Sequence, residues 1–477
     1  MKLNDFKNKR VVIMGLGLLE GGGGATRFFC ENGARVTVTD LKTKNELQES
    51  IKKLNKFKIN YFLGGHRKED FINADLVIYG PGVRMNSPYL KIARENKVNL
   101  DTDIGIFFNN CPCPIIGITG TKGKSTTATL IYELLKSLPA GRPGLPAGRQ
   151  GKYKKVFLGG NIQKSVLEIF PKLDKKSLVV LELSSWQLEG LAYHKKSPCI
   201  ALITNILPDH LNAYASFEKY FAAKKNIYKY QRSGDFLILN YDDKKLRRIN
   251  QKYIKGNILY YSLDENLRDA AVYAKDGDIF YKNNFICRIK DLKIKGEHNL
   301  RHILGALTVI SRYNISLSKI RRTVLNFKGI PGRLEKIAEK NGVEYINDTT
   351  ATNPDAVIEA LKTKGGENSQ KKIVLICGGT DKNLDNYCQL AKYIEKFVKS
   401  IILLSGTATE KLKKEFISLK INVPIIEVNN MKMAVKKAAD CAIKGDIAML
   451  SPGAASFGLF VNEFDRGNQF VEEVKVL

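Results

Sequence analysis

An apolar run, Pro114-Ile115-Ile116-Gly117-Ile118-Thr119, leads directly into Gly120-Thr121-Lys122-Gly123-Lys124-Ser125-Thr126, and then into a stretch with Leu130, Ile131, Leu134 and Leu135 at helical spacing. Strand, glycine-rich loop and helix in that order predict a parallel sheet with the loop at its C-terminal edge. Backbone N–H groups and the positive end of the helix dipole there face an anion. Lys124 supplies a charge for the outer phosphates of a nucleotide, and Ser125 a hydroxyl for magnesium. The spacing departs from the strict G-x-x-x-x-G-K-S/T form, because Ile118 stands five residues before Gly123.

The same alternation of short apolar runs and helix-length stretches continues on both sides. Val11 to Met14, Arg35 to Thr39 ending on Asp40, and Asp75 to Tyr79 ending on Gly80-Pro81-Gly82 predict a first parallel sheet with crossover helices. Its first turn, Gly15-Leu16-Gly17, puts Glu20 where a dinucleotide fingerprint has its third glycine, and the run Gly21 to Gly24 follows. A nucleotide or phosphate at the strand ends suits this pattern, with Asp40 placed to accept hydrogen bonds. After Ile330-Pro331-Gly332 come four more strand candidates, Lys372–Cys377, Ser400–Leu404, Val423–Ile426 and Asp446–Leu450, with a helix over Met431–Ile443.

At 477 residues the chain exceeds what one core usually supports, and three α/β domains fit best. Residues 138–151 repeat a seven-residue unit, Leu-Pro-Ala-Gly-Arg-Pro-Gly, with one change (Gln150 for Pro143), and read as a flexible surface insertion between helix and strand. No apolar run approaches the roughly 20 residues that span a bilayer, and the glycine-broken Val11–Leu19 run lacks a cleavage site. A cytoplasmic protein without membrane insertion is expected. Eight scattered cysteines lack the C-x-x-C spacing of a zinc site and read as reduced thiols. The net charge of +29 is dispersed along the chain, without interleaved aromatics, so a solvated lysine-rich exterior with anionic substrates is preferred to a nucleic-acid surface.

A phosphate loop with magnesium needs an acid at a neighbouring strand end. Glu182 ends Leu178-Val179-Val180-Leu181, a strand apolar enough to be buried on both faces, where an unpaired carboxylate is costly. It is read as a metal ligand. The next strand, Ile200–Ile203, leads through Thr204-Asn205 to Asp209-His210. A lone histidine is more often structural, but its place beside the same strand ends makes His210 a second candidate ligand.

Taken together, these motifs resemble the Mur ligase family over nearly the whole chain. Ile118 to Thr126 is similar to its ATP loop, with Lys122 where asparagine is usual. Gly160-Asn161-Ile162, Leu181-Glu182-Leu183-Ser184-Ser185 and Thr204-Asn205 through Asp209-His210 are similar to its magnesium-site motifs. Tyr220-Phe221-Ala222-Ala223-Lys224 is similar to the segment whose lysine carries a carbamate, which makes Lys224 a carbamylated metal ligand. Gly296 to Leu300, with Asn299, resembles the adenine-side motif, and Pro331-Gly332-Arg333 the hinge whose arginine meets ATP phosphates. Ile346-Asn347-Asp348 with Ala351-Thr352-Asn353-Pro354 resembles the next nucleotide and amino-acid motif. Gly378 to Lys382 and Leu450 to Phe457, with Ser456, resemble loops that hold D-glutamate. Thr350, Gly458 and Gln163 depart from the family's usual lysine, acid and glycine.

The resemblance implies three domains: a Rossmann-like, UDP-sugar-binding domain at 1–101, a central P-loop ATPase-type mononucleotide-binding domain at 102–329, and a Rossmann-like, amino-acid-binding domain at 330–477. It implies that Lys124, Glu182, His210 and Lys224 are catalytic. Gly120 to Thr126, Asn299, Arg333 and Asp348 would bind ATP, and Ser125, Glu182, His210 and Lys224 magnesium. Gly15, Leu16, Gly17, Asp40, Lys42, Gly80, Pro81, Gly82, Asn161, Thr352, Lys382, Ser456 and Phe457 would bind substrate. The implied reaction joins D-glutamate to UDP-N-acetylmuramoyl-L-alanine through an acyl phosphate, in peptidoglycan precursor synthesis. The chain would act as a monomer, with closure about a hinge near Gly329 and Pro331. Other readings are another Mur-type or folylpolyglutamate-type amide ligase, a nucleic-acid-stimulated ATPase, or a non-catalytic nucleotide-binding regulator. The last two leave the Glu182, His210 and Lys224 set unexplained.

Overall fold

A computed structural model describes residues 3–17, 20–80, 82–83, 85–136, 153–161, 165–207, 214, 216–263, 271–366, 371–381, 386–456 and 458–477. The chain divides into two compact units, Met1–Phe327 and Lys328–Leu477.

The first unit holds two parallel sheets and a small antiparallel one. In the first sheet β1 (Arg10–Met14), β2 (Arg35–Asp40), β3 (Ile59–Leu63), β4 (Leu76–Tyr79) and β5 (Asn99–Asp101) lie in the order β3-β2-β1-β4-β5. Order reverses between β1 and β4, and in such sheets ligands bind at that switch point, beyond the strand C-termini. In the second sheet β6 (Ile115–Thr119), β7 (Lys155–Gly160), β8 (Ser177–Glu182), β9 (Ile200–Ile203), β10 (Phe236–Asn240) and β11 (Asn257–Tyr261) lie in the order β11-β10-β9-β6-β8-β7. All of its pairings are parallel. β6, β8, β9 and β10 are buried at every position, which explains their unbroken apolar runs: crossover helices cover both faces.

One face carries Ile116, Ile118, Leu178 and Val180, packed with Leu130, Ile131, Leu134 and Leu135 of the helix Lys124–Lys136. The other face continues into the core beneath the first sheet. Phe170 meets Phe28 at 6.0 Å and Phe107 at 5.8 Å, edge to face, and Arg27 pairs with Glu168 at 2.8 Å. The two large sheets of this unit therefore share one continuous core. β12 (Val272–Lys275), β13 (Asp278–Tyr281) and β14 (Asn284–Arg288) form the antiparallel sheet, which the apolar pattern had not suggested.

In the second unit β15 (Glu335–Lys340), β16 (Val343–Asn347), β17 (Ile373–Gly378), β18 (Val398–Leu404), β19 (Ile425–Val428) and β20 (Ile447–Leu450) lie in the order β15-β16-β20-β17-β18-β19. Only the β15–β16 hairpin is antiparallel. The four strands expected here fall within three residues of their predicted bounds, and the expected helix spans Met431–Cys441. Among the described residues no helix is long and apolar enough to cross a membrane. The repeat at 138–151 lies outside the described residues.

Candidate active site

The phosphate loop leaves β6 where the two neighbouring strands also end: Ile118 is in register with Glu182 of β8, and Thr119 with Ile203 of β9. Gly120 and Gly123 have φ of +148° and +79°. A Cβ on Gly120 would collide with the Thr204 hydroxyl, and one on Gly123 with the His302 ring, so both positions exclude side chains on two counts. The loop is tied to the chain beyond β9. Thr121 N donates to Asn205 O at 3.0 Å and Lys122 N to Asn205 Oδ1 at 3.0 Å, while Thr204 Oγ1 donates to Lys122 O at 2.7 Å. The last two bonds engage the backbone of residue 122, and its side chain is exposed, which explains how lysine can replace asparagine there. Lys124 Nζ folds back to donate to Thr121 O at 3.0 Å, and its residue opens the helix Lys124–Lys136.

Glu182 is 2% exposed and is held by two donors. Ser125 Oγ donates to its Oε2 at 2.5 Å, and Asn161 Nδ2 to its Oε1 at 3.0 Å. Lys224 is equally buried, on the helix Phe217–Lys229. Its Nζ donates to Gly120 O at 2.8 Å and lies 3.5 Å from Thr119 Oγ1, directly beneath the loop. Tyr220, one helical turn earlier, lies with its ring centroid 4.8 Å from that ammonium and its hydroxyl 3.1 Å from Thr121 Oγ1. Ser125, Glu182, Asn161 and Lys224 are thus gathered around one loop. His210 lies outside the described residues, and among those described no group of three or more His, Cys, Asp or Glu side chains could hold a metal. The sequence reading gave no role to Tyr220 or His302. The one available signal was the four-residue spacing of Tyr220 and Lys224, which puts both on one helix face.

Asn299, on the helix Glu297–Ile310 that also carries His302, donates its Nδ2 to Lys295 O at 2.8 Å.

At the first sheet the ends of β1, β2 and β4 bring Gly15 to Gly17, Asp40 to Lys42 and Gly80 to Gly82 together; Pro81 lies outside the described residues. Asp40 accepts from Gly17 N at 3.0 Å and from Lys42 N at 2.9 Å, so its carboxylate fixes both loops. Gly22 takes the part expected of the third fingerprint glycine. A Cβ there would fall on the carbonyl oxygens of Gly15 and Leu16, where the helix Glu20–Glu31 crosses the turn. A cavity of about 270 Å³ opens between Gly80 and Asp103 on one side and Trp186, Gln187, Glu189 and Tyr193 on the other. Burial raises the carboxyl pKa of both Asp103 and Glu189.

In the second unit Asp348 follows β16 and is buried. Ser451 Oγ donates to it at 2.7 Å and Leu334 N at 3.1 Å, yet burial outweighs both and pushes its carboxyl up to about 6. Arg333 is exposed beside it. Thr350 uses its hydroxyl on Gly332 O at 2.9 Å, and Thr352 N donates to Thr350 O at 3.0 Å. Arg466, wholly buried and not singled out in the sequence, donates to Thr349 Oγ1, Thr349 O and Ala454 O at 3.1, 2.9 and 3.2 Å. It clamps the Thr352 loop to the loop bearing the buried Ser456. Asp381 is anchored by Lys411 at 2.5 Å and Tyr387 at 3.0 Å; its neighbour Lys382, like Phe457 and Gln163, lies outside the described residues.

Residues 9–101 match the Mur ligase MurD-like N-terminal domain, 118–310 the Mur ligase middle domain, and 332–453 the Mur ligase glutamate ligase domain. Proteins named UDP-N-acetylmuramoylalanine--D-glutamate ligase from Roseiflexus sp. and Borreliella afzelii are each 38% identical, covering 98% and 100% of both chains respectively. One from Clostridium tetani is 33% identical over 99% of both. Among solved structures, UDP-N-acetylmuramate-alanine ligase from Thermotoga maritima shares the fold with a TM-score of 0.59, at 18% identity over 98% of this chain and all of that one. MurF ligase from the same organism, in complex with ADP, gives 0.54 at 17% identity over 99% of both. With full-length relatives above a third identical and three domain matches in sequence order, the chain belongs to the Mur ligase family.

Proposed function

We propose that this chain joins D-glutamate to UDP-N-acetylmuramoyl-L-alanine with hydrolysis of ATP to ADP and phosphate, a cytoplasmic step of peptidoglycan precursor synthesis. The observation that carries this reading is the convergence of Ser125, Glu182 and Lys224 on one phosphate loop, in a chain whose full-length relatives bear that activity's name.

The residues fit the groups they would hold. A hydroxyl and a buried carboxylate oxygen 2.5 Å apart are hard donors suited to magnesium, which would enter between them and displace their mutual hydrogen bond. Bound there, magnesium would offset charge on the phosphates of ATP. His210 and Lys224 would complete its ligands. For Lys224 this requires the neutral amine to add carbon dioxide, turning a buried cation into a carboxylate-like group.

The terminal carboxylate of the UDP-sugar peptide then attacks the γ-phosphorus, and ADP leaves as an acyl phosphate forms. The D-glutamate amine attacks the acyl carbon and phosphate departs. Both steps bring anions together, so the protein's contribution is largely preorganised positive charge. Lys124 would swing from Thr121 O to the outer phosphates, with the loop N–H groups cradling the inner ones, and Arg333 would bind ATP phosphates. Asn299 would lie on the adenine side, and Asp348 would accept from the nucleotide. Gly15 to Gly17, Asp40, Lys42, Gly80 to Gly82 and Asn161 would hold the UDP-sugar. Thr352, Lys382, Ser456 and Phe457 would hold the incoming diacid. The chain would act as a monomer.

Phosphate release by the purified protein, given ATP, magnesium, UDP-N-acetylmuramoyl-L-alanine and a panel of amino acids, tests the assignment. D-glutamate should be the amino acid that supports turnover. Turnover with L-lysine in its place would overturn the assignment.

A further inference from the structure

The loop between the helix Asp103–Asn110 and β6 contains a pair of thiols that the ligase chemistry does not use. Cys111 and Cys113 flank Pro112, and their sulfurs lie 3.6 Å apart. Cys111 forms the C-terminal cap of the helix and is partly exposed, whereas Cys113 is 9% exposed and packs into the core shared by the two large sheets. Cys111, though it also packs against that core, is the more exposed of the two.

We propose that Cys111 and Cys113 form a reactive dithiol that closes to an intramolecular disulfide under a hydroperoxide, with Cys111 as the attacking sulfur.

The greater exposure of Cys111 and the charge around it support the order of attack. The two sulfurs are within hydrogen-bonding distance and either thiol can donate to the other, while Cys111 Sγ also faces Cys113 O at 3.4 Å; with Cys113 as donor, their mutual bond is the chief influence holding the Cys111 pKa down. Cys113 is shifted the opposite way, by that same bond and by burial. A helix C-terminus disfavours an anion, but Lys196 offsets this: its Nζ donates to Phe108 O at 3.1 Å, and its charge also favours the Cys111 thiolate. A disulfide bond is about 2.05 Å long, so the sulfurs need to approach by about 1.5 Å.

The chemistry balances in two steps. The Cys111 thiolate attacks one peroxide oxygen; an S–O bond forms, the O–O bond breaks, and the other oxygen leaves as an alcohol or water after taking a proton. Cys113 sulfur then attacks the Cys111 sulfenic sulfur; the S–S bond forms, the S–O bond breaks, and water departs with the Cys113 proton. Two thiols lose two electrons, and the peroxide gains them.

Intact-mass measurement of the full chain after brief treatment with hydrogen peroxide should show loss of two hydrogens, reversed by dithiothreitol. Peptide mapping should place the bond at 111–113, while the exposed Cys388 stays reduced. Cys113→Ser should leave a Cys111 sulfenic acid that dimedone traps, and Cys111→Ser should give no comparable adduct at Cys113. Lys196→Met should slow closure by about threefold or more. An unchanged mass in the wild-type chain, or a disulfide mapped to other cysteines, would overturn the proposal without bearing on the ligase assignment. A dimedone adduct at Cys113 in Cys111→Ser as fast as that at Cys111 in Cys113→Ser would overturn the order of attack.

Discussion

Ser125 Oγ donates to Glu182 Oε2 at 2.5 Å, joining the first turn of the helix after the phosphate loop to the end of the strand beside it. This contact is the nucleus of the proposed magnesium site, and Asn161 fixes the other carboxylate oxygen. Glu182→Gln keeps the shape and both hydrogen-bonding partners but removes the charge. The expected result is a fall in kcat of about 100-fold or more, with a higher magnesium requirement and an unchanged circular dichroism spectrum. Phosphate-release kinetics across a magnesium titration provide the check; an unaltered magnesium dependence would remove Glu182 from the site.

Lys224 is buried beneath the loop with its amine on Gly120 O. Lys224→Ala is expected to lower kcat by about 100-fold or more. Added formate or acetate should restore part of that activity by supplying the missing carboxylate oxygens. Loss of activity without rescue would leave Lys224 as a loop-supporting cation and would exclude the carbamate.

Gly123 faces the His302 ring with φ at +79°, so Gly123→Ala combines a steric clash with backbone strain. A stability loss of about 1–3 kcal/mol is expected, with a raised KM for ATP, because the loop must shift away from its N–H geometry. Thermal denaturation and ATP titration test this together. Gly21→Ala, where a Cβ meets nothing within 4 Å, should cost neither and serves as the comparison.

Asp348 gives a pH signature. Its carboxyl titrates near 3.8 when unfolded and near 6 in the folded unit, because burial disfavours the charge. A raised folded value means that the stabilisation is fully present below the unfolded value and is lost as pH rises through the folded one. Stability of the native chain should therefore fall between about pH 4 and pH 6, by on the order of 2–3 kcal/mol from this group, and level off above. Asp348→Asn should flatten that slope. Denaturant unfolding of both proteins from pH 4 to pH 7 measures it, and an identical slope in the variant would contradict the assignment.

Much of the framework is legible in the chain because the central strands are buried on both faces. Leu178-Val179-Val180-Leu181 has no polar position to blur it, and Glu182 stands out as the charge that ends it. β15 escaped notice for the opposite reason: it is a half-exposed edge strand, Glu335 to Lys340, with charges at four of its six positions, while β3, Ile59 to Leu63, is an edge strand that stays half-exposed despite its apolar residues. The site divides along similar lines. Lys124, Ser125 and Glu182 follow from local strand-end logic, whereas the contacts that shape the loop come from far along the chain. His302 meets Gly123, and Tyr220 meets Thr121 across 99 positions; no spacing rule reaches that distance. Gly22 was hidden by its neighbours, since only the helix position shows which glycine in the run Gly21 to Gly24 meets the turn. Lys122 shows why a departure from a motif can be harmless: the partners at that position bind the main chain.

The central claim is activation of a carboxylate as an acyl phosphate at the Lys124 and Glu182 site, and isotope transfer tests it directly. UDP-N-acetylmuramoyl-L-alanine labelled with oxygen-18 in its terminal carboxylate is turned over with ATP, magnesium and D-glutamate, and the released phosphate is analysed by mass spectrometry. The account requires one labelled oxygen to pass from the carboxylate into each phosphate derived from a fully labelled substrate. Unlabelled phosphate accompanying amide formation would contradict it.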